Sequence, residues 1–478
     1  MNKLSKMAGT KRGVNYGKNN ELNRIIKIYQ NNGRKPITFD FKEAYNSLVN
    51  EDNNINYHYL HFYPGRIYPY IPRYLLSLPD IREMNGTLLD PFAGSGTILL
   101  ESLINPFISR KVFGVEINPL GRLISKVKIT PFNTSLVPKY LKELHKIYSN
   151  CSVNIHAFIP IYENIDMWFS KDTISKLAKL KYAIQNLEAE RDIKDFFWLC
   201  FSGIIRKVSK ADPYIPPPVV LKLEKYRDTP KFDKLKEHLE RAKSPNLWKI
   251  FEEEVLSNCK KLNSIFDALI DNPTEGKIIW DDAREIKKGT LSERGFIDKT
   301  SSRSLPSNSV SIIFTSPPYL TAQKYIRTSK LELLWLGYSK EEINKLKKKS
   351  IGTEGAEISY IEKLGYKNID ELIEKTFYKS KARALEIYHY FKNMIQVIRE
   401  LNRILKNRGY MILVVGDNKV LGRWIGTYRL LADIVISEGF KELVTLKDKI
   451  KSRSMITRRN GSGGLIKEEY VMIFQKET

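Results

Sequence analysis

The sequence predicts an α/β protein: a doubly wound sheet that carries a large, mainly helical insertion. Three observations predict it. Residues 88–101 read Leu-Leu-Asp-Pro-Phe-Ala-Gly-Ser-Gly-Thr-Ile-Leu-Leu-Glu: an apolar run, a small-residue turn and an amphipathic run, in the order strand, turn, helix. Strand-like apolar runs return late, at 277–282, 309–314 and 410–416. Between these two regions, from about 131 to 272, apolar residues recur at three- and four-residue steps, as in Ile174, Leu177, Leu180, Ile184 and Leu187, which is helical periodicity.

Composition bounds the function. The chain has 478 residues, enough for one large domain or two to three ordinary ones. Lys and Arg number 79 against 54 for Asp and Glu, a net charge of +25. That excess suits a polyanionic partner such as nucleic acid, although Lys, Asn and Ile are abundant throughout. Cys151, Cys200 and Cys259 form no C-x-x-C pair, so neither a zinc site nor a disulfide framework is indicated. No apolar run is long enough to span a bilayer and no signal peptide is evident. A reducing, cytoplasmic setting and no membrane partner are expected.

In chain order, residues 1–33 form a basic, polar arm containing Lys11-Arg12-Gly13. The stretch 34–130 holds the glycine turn. Before the turn, Tyr57–Leu78 begins as an aromatic-proline loop with Tyr63, Pro64 and Arg66, and becomes a helix from Ile71 with Pro72 in its first turn. Phe113-Gly-Val-Glu-Ile-Asn-Pro119 reads as the second strand of a βαβ unit, ending in Glu116, with a helix from Leu120 to Lys128. The helical insertion occupies 131–275. It contains a helix from Asp195 to Val208, a basic loop with Arg206 and Lys207, and a long amphipathic pattern from Phe232 to Leu269. The last part, 276–478, resumes the sheet. A strand over 277–282 ends in Asp281 and Asp282, and Ser309–Phe314 runs into Thr315-Ser-Pro-Pro-Tyr319. Glu371–Leu405 and Tyr428–Glu438 are helical, and 442–446 with 469–475 form two closing strands around a basic loop at 452–464 that holds Arg453.

Two motifs carry chemistry. In the turn, Gly94 and Gly96 let the backbone approach a ligand closely, and the helix that follows starts with free N–H groups facing it. The turn lacks the third glycine of a dinucleotide fingerprint and the Gly-Lys-Ser/Thr of a P-loop. Glu116, at the end of the next strand, is placed to take both hydroxyls of a ribose. In Ser316-Pro317-Pro318-Tyr319 the prolines stiffen the backbone and hold the Pro317 carbonyl as a fixed acceptor. Ser316 offers a hydroxyl beside it and Tyr319 a flat face for a base. Two acceptors and a stacking plate suit an exocyclic aromatic amine.

Together these motifs resemble the S-adenosylmethionine-dependent DNA amino-methyltransferases, over about half of the chain. The resemblance implies a Rossmann-like methyltransferase sheet with S-adenosylmethionine as cofactor. It assigns Tyr63, Pro64, Asp90, Pro91, Phe92, Ala93, Gly94, Gly96, Thr97, Glu116 and Asp282 to the cofactor, with Asp281 not separable from Asp282. It assigns Ser316, Pro317, Pro318 and Tyr319 to catalysis. The Ser form of the tetrapeptide is commonest in the cytosine-N4 branch, and the Asp form among adenine-N6 enzymes. Double-stranded DNA is the implied partner, with Arg206, Lys207, Lys324, Arg327, Lys330 and Arg453 as candidate contacts and a cognate restriction endonuclease as companion. The target-recognition region is the insertion, the helical segment at about 324–390, or both. The rivals are an RNA amino-methyltransferase and a catalytically silent DNA-binding subunit. Cytosine-C5 chemistry is disfavoured because no Pro-Cys nucleophile is present.

Overall fold

The computed structural model describes residues 20–49, 55–105, 110–271, 274–291, 297–320, 325–352, 360–450 and 466–478. Its strands are β1 (Ile37–Thr38), β2 (Thr87–Asp90), β3 (Val112–Val115), β4 (Gly276–Trp280), β5 (Lys287–Leu291), β6 (Ile297–Ser304), β7 (Val310–Thr315), β8 (Leu405–Gly416), β9 (Lys419–Val420), β10 (Arg423–Trp424), β11 (Phe440–Lys449) and β12 (Glu468–Lys476). Eight of them form one sheet in the order β1-β11-β12-β8-β7-β2-β3-β4. Only β12 runs antiparallel to its neighbours; β1–β11, β8–β7, β7–β2, β2–β3 and β3–β4 are parallel pairs.

Strand alternation explains why both faces are covered. On β8, Ile412 and Val414 join one apolar core while Met411, Leu413 and Val415 join the other; on β2, Leu88 and Leu89 divide the same way. A central parallel sheet buries both faces, so its strands read as continuous apolar runs. The first face packs against Glu21–Asn31, Tyr70–Ser77, Thr97–Leu103 and Pro119–Ile129; the second against Lys367–Phe377, Lys381–Ile404 and Thr427–Ser437. The chain moves outward from β2 to β3 and β4, then returns to start β7 on the other side of β2. That reversal leaves a crevice at the carboxyl ends of β2 and β7, where open α/β sheets bind ligands.

The helical insertion lies between the helix Pro119–Ile129 and β4. Its Phe196, Phe197, Phe201 and Phe251 share one continuous core with Leu88, Val112 and Ile278 of the sheet.

Several elements differ from the sequence reading. The second half of the basic arm is the helix Glu21–Asn31, because Leu22, Ile25 and Tyr29 fall on one face and are buried. The amphipathic pattern at 232–269 is two helices, Phe232–Lys243 and Leu247–Asp271, broken around Pro245, which cannot donate a helical hydrogen bond. The helical stretch at 371–405 is likewise two helices, Lys367–Phe377 and Lys381–Ile404, the second capped by Ser380. The antiparallel pair β5–β6 was not expected. Among the described residues, no helix is long and apolar enough to cross a membrane.

Candidate active site at the carboxyl ends of the strands

The glycine turn leaves β2 at Asp90. Gly94 and Gly96 both have positive φ, 53° and 72°, a conformation L side chains rarely adopt. The turn is stitched to the next strand: Ala93 donates its N–H to the Val115 carbonyl at 2.9 Å, and Ser125 donates its hydroxyl to the Gly94 carbonyl at 2.9 Å. Glu116 closes the arrangement. One carboxylate oxygen accepts from Gly94 N at 2.7 Å; the other accepts from Asn118 N at 2.7 Å and from the Tyr63 hydroxyl at 3.3 Å. Burial raises the pKa of Glu116, and those backbone donors oppose the rise. So Tyr63, the glycine turn and Glu116 meet, although 53 residues separate Tyr63 from Glu116. The Thr97 hydroxyl is buried there and takes no hydrogen bond among the described residues.

Behind the turn sits a buried charge network. Glu101 accepts from Arg73 Nε at 2.9 Å and Nη2 at 2.7 Å, and pairs with His58 Nε2 at 2.7 Å. Burial opposes its ionisation, but the Arg73 charge and the hydrogen bonds from His58 and Arg73 outweigh it and hold Glu101 at about 2. Lys128, also buried, donates to the Ser95 carbonyl at 2.5 Å. This fixes the turn from its protein side.

Asp90 links the two halves of the site. Its Oδ1 accepts from Thr315 Oγ1 at 2.6 Å and from Phe92 N at 3.1 Å. The first bond joins the end of β2 to the end of β7 across the topological reversal. Burial pushes the Asp90 carboxyl up to about 7, against the lowering effect of those two donors.

The Ser-Pro-Pro-Tyr turn leaves β7 directly after Thr315. Ser316 donates its one hydroxyl hydrogen to the Val414 carbonyl at 3.0 Å. Its lone pairs are then the only function left to offer, so toward an amine Ser316 acts as an acceptor. Tyr319 lies against Gly416: a Cβ there would sit 2.6 Å from Tyr319 Cε2. The Tyr319 hydroxyl donates to Glu469 Oε1 at 2.8 Å. Glu469 and Gly416 are register partners in β12 and β8, so one pair of residues in the sheet sets both the seat of the ring and its anchor. Tyr325 joins the two halves. Its ring edge and hydroxyl lie 2.8 Å from where a Gly65 Cβ would stand, and its phenol is pushed up by burial and then by the charges of Glu116 and Glu469.

The Asp282 carboxylate is held by Arg284 through Nε at 2.9 Å and Nη2 at 2.8 Å, with Lys349 3.7 Å away. Burial opposes its ionisation, but Arg284 keeps its pKa low. Arg206, read as a DNA contact, is instead turned inward: it donates to the carbonyls of Pro216, Asp212 and Ile215 and holds its own loop closed. Lys207 pairs with Glu254. Arg327 is exposed, and Lys330 stacks on Tyr162, 4.6 Å from the ring centre. Lys324 and Arg453 lie outside the described residues. The sequence reading missed the roles of Thr315 and Glu469. Thr315 flanks the motif it did find; nothing local marks Glu469, whose place depends on the β12–β8 register.

No family profile matches the chain. Two curated relatives do. The chain is 27% identical over 426 residues to "Type II methyltransferase M.MvaI" of Kocuria varians, covering 83% of this chain and 84% of the relative. It is similar to Type II methyltransferases. A second, "Type II methyltransferase M.BsoBI" of Geobacillus stearothermophilus, is 24% identical over 336 residues, covering 67% of this chain and 59% of that protein. Both similarities extend far beyond the length of the two short motifs.

Proposed function

We propose that the chain is a site-specific DNA methyltransferase of the restriction–modification type, which transfers a methyl group to the exocyclic amine of a base, cytosine N4 first. The observation that carries this reading is the junction at Asp90–Thr315, which brings the glycine turn and the Ser-Pro-Pro-Tyr turn to one crevice. The extended similarity to two Type II methyltransferases supports the reaction class.

The residues fit S-adenosylmethionine. Glu116, whose carboxylate oxygens accept from Gly94 N and Asn118 N, would take the ribose hydroxyls with its remaining lone pairs. The turn around Gly94 and Gly96 leaves the backbone open to close approach, and Thr97 has an unused hydroxyl. Tyr63 and Pro64 would cover the methionine end. The bound cofactor supplies an electrophilic methyl on a sulfonium.

This chain's residues do the rest. The amine lone pair of a base is delocalised into the ring, so it is a poor nucleophile. Ser316 Oγ and the Pro317 carbonyl would accept the two amine hydrogens, favour a pyramidal nitrogen and free the lone pair. Tyr319 would stack on the base and fix its plane. Catalysis then rests on positioning and on local electrostatics, with no covalent enzyme intermediate. Inside a duplex the amine is out of reach, so the base must be extruded from the stack. The basic excess would supply salt-sensitive affinity for phosphate. Arg327 and Lys330, on the helices after the catalytic turn, are proposed phosphate contacts, and protection against an endonuclease of matching specificity is the role this implies.

The test is transfer of labelled methyl from S-adenosylmethionine to native genomic DNA and, separately, to RNA. Label in DNA supports the reading. Label in RNA alone replaces the substrate, and label in neither overturns the function.

A further inference from the structure

We infer that the hairpin β9–β10 is a wedge that enters duplex DNA beside the extruded base, with Leu421 at its tip. The inference rests on the DNA methyltransferase reading and names the element that would open the duplex for that site.

The hairpin begins three residues past Gly416, on which Tyr319 lies, and it is built to stay there. Asn418 Nδ2 donates to the carbonyl of Leu320, the residue after Tyr319. Asp417 Oδ1 accepts from the backbone N–H of Asn418 at 2.8 Å, Gly426 at 2.9 Å and Thr427 at 3.1 Å, and Ile425 N donates to the Asn418 carbonyl at 2.9 Å. The base of the hairpin is thus closed and tied to the catalytic turn.

The tip is built against local preference. Val420 pairs with Arg423 and Lys419 with Trp424, leaving Leu421 and Gly422 as a two-residue turn. Their φ values are 48° and 81°, the type I′ pattern, which favours Asn, Asp or Gly first. A branched side chain is disfavoured there. Leu421 lies outside both apolar cores and is 38% exposed, with Trp424 49% exposed. Neither turn chemistry nor burial accounts for a leucine here. Strain of this kind collects at functional sites.

The surroundings fit a polyanion. Arg423 is exposed, and the Lys419 ammonium lies 5.0 Å over the Trp424 ring. An apolar tip flanked by cations matches duplex DNA: the cations meet phosphates and the apolar side chain fills the unstacked step.

Leu421→Asn and Leu421→Gly both suit the turn, so neither should lower the melting temperature. The substrates are duplexes carrying the recognition sequence, mapped from DNA methylated by the wild type, with the target base either paired or mismatched. The variants should methylate the paired duplex roughly tenfold more slowly than wild type and recover on the mismatched one, where extrusion is already easy. Unchanged rates on the paired duplex, or an equal loss on both duplexes, would overturn the wedge. A wild type that transfers no methyl to any DNA would instead overturn the methyltransferase reading, and the wedge with it.

Discussion

Gly416→Ala is the sharpest perturbation of the base pocket, because it changes one methyl group and no polar atom. The new Cβ would stand 2.6 Å from Tyr319 Cε2, 3.1 Å from Cδ2 and 3.0 Å from Ile466 Cγ2. Carbon pairs at their optimum are about 3.5–4.0 Å apart, so the ring must retreat by roughly 1 Å. It cannot retreat freely, since its hydroxyl is held by Glu469 at 2.8 Å, on the residue paired with Gly416 itself. A misplacement of about 1 Å in a positioning group costs on the order of 100-fold in rate. Overpacking of this kind costs about 1–3 kcal/mol of stability, which leaves a domain of this size folded. The assay is single-turnover methyl transfer to DNA at saturating cofactor, with cofactor affinity measured separately by calorimetry. The expected result is a rate lower by about two orders of magnitude and unchanged cofactor affinity. A rate within about threefold of wild type would refute the claim that Tyr319, seated on Gly416, positions the base.

Three further outcomes follow from the site. Ser316→Ala removes an acceptor that is already oriented by Val414; the rate should fall about 100- to 1,000-fold while cofactor affinity persists, and near-normal turnover would remove Ser316 from catalysis. Glu116→Ala removes a charged acceptor worth about 1.5–3 kcal/mol, so calorimetry should give a cofactor Kd roughly 10- to 100-fold weaker; an unchanged Kd would sink its ribose role. The pH dependence of stability carries a sign. Asp90 is pushed by burial from 3.8 in the unfolded chain to about 7 in the fold, so between these values the folded state binds the extra proton. Its contribution is therefore fully present below pH 3.8 and lost as pH rises toward 7, where the buried carboxyl must ionise. Asp90→Asn should flatten that part of the stability profile, and denaturant melts showing the same slope in both proteins would contradict the assignment.

The fold was legible where local chemistry decides structure. The glycine turn with Glu116 at the end of the next strand, and two prolines ending an apolar strand, are short-range signals. Other parts had a signal that composition hid: Leu22, Ile25 and Tyr29 lie at helical spacing inside a basic arm, and Pro245 marks the break in a long amphipathic pattern. Some parts had none. Glu469 enters the site only because β12 pairs with β8 in one register, a contact across long sequence separation that no local pattern encodes. Arg206 looked like a surface cation in a basic loop, yet carbonyls 6 to 10 residues away hold it inward. Asp90 was read as a cofactor residue; its bond to Thr315 spans 225 residues and depends on the strand order β7-β2.

The central claim is that this crevice methylates the exocyclic amine of a DNA base. The most direct test is nucleoside mass spectrometry of genomic DNA incubated with the protein and labelled S-adenosylmethionine. The account predicts a labelled N4-methylcytosine, and an N6-methyladenine would keep the amine chemistry while changing the base. A labelled 5-methylcytosine, or DNA without label, would contradict it.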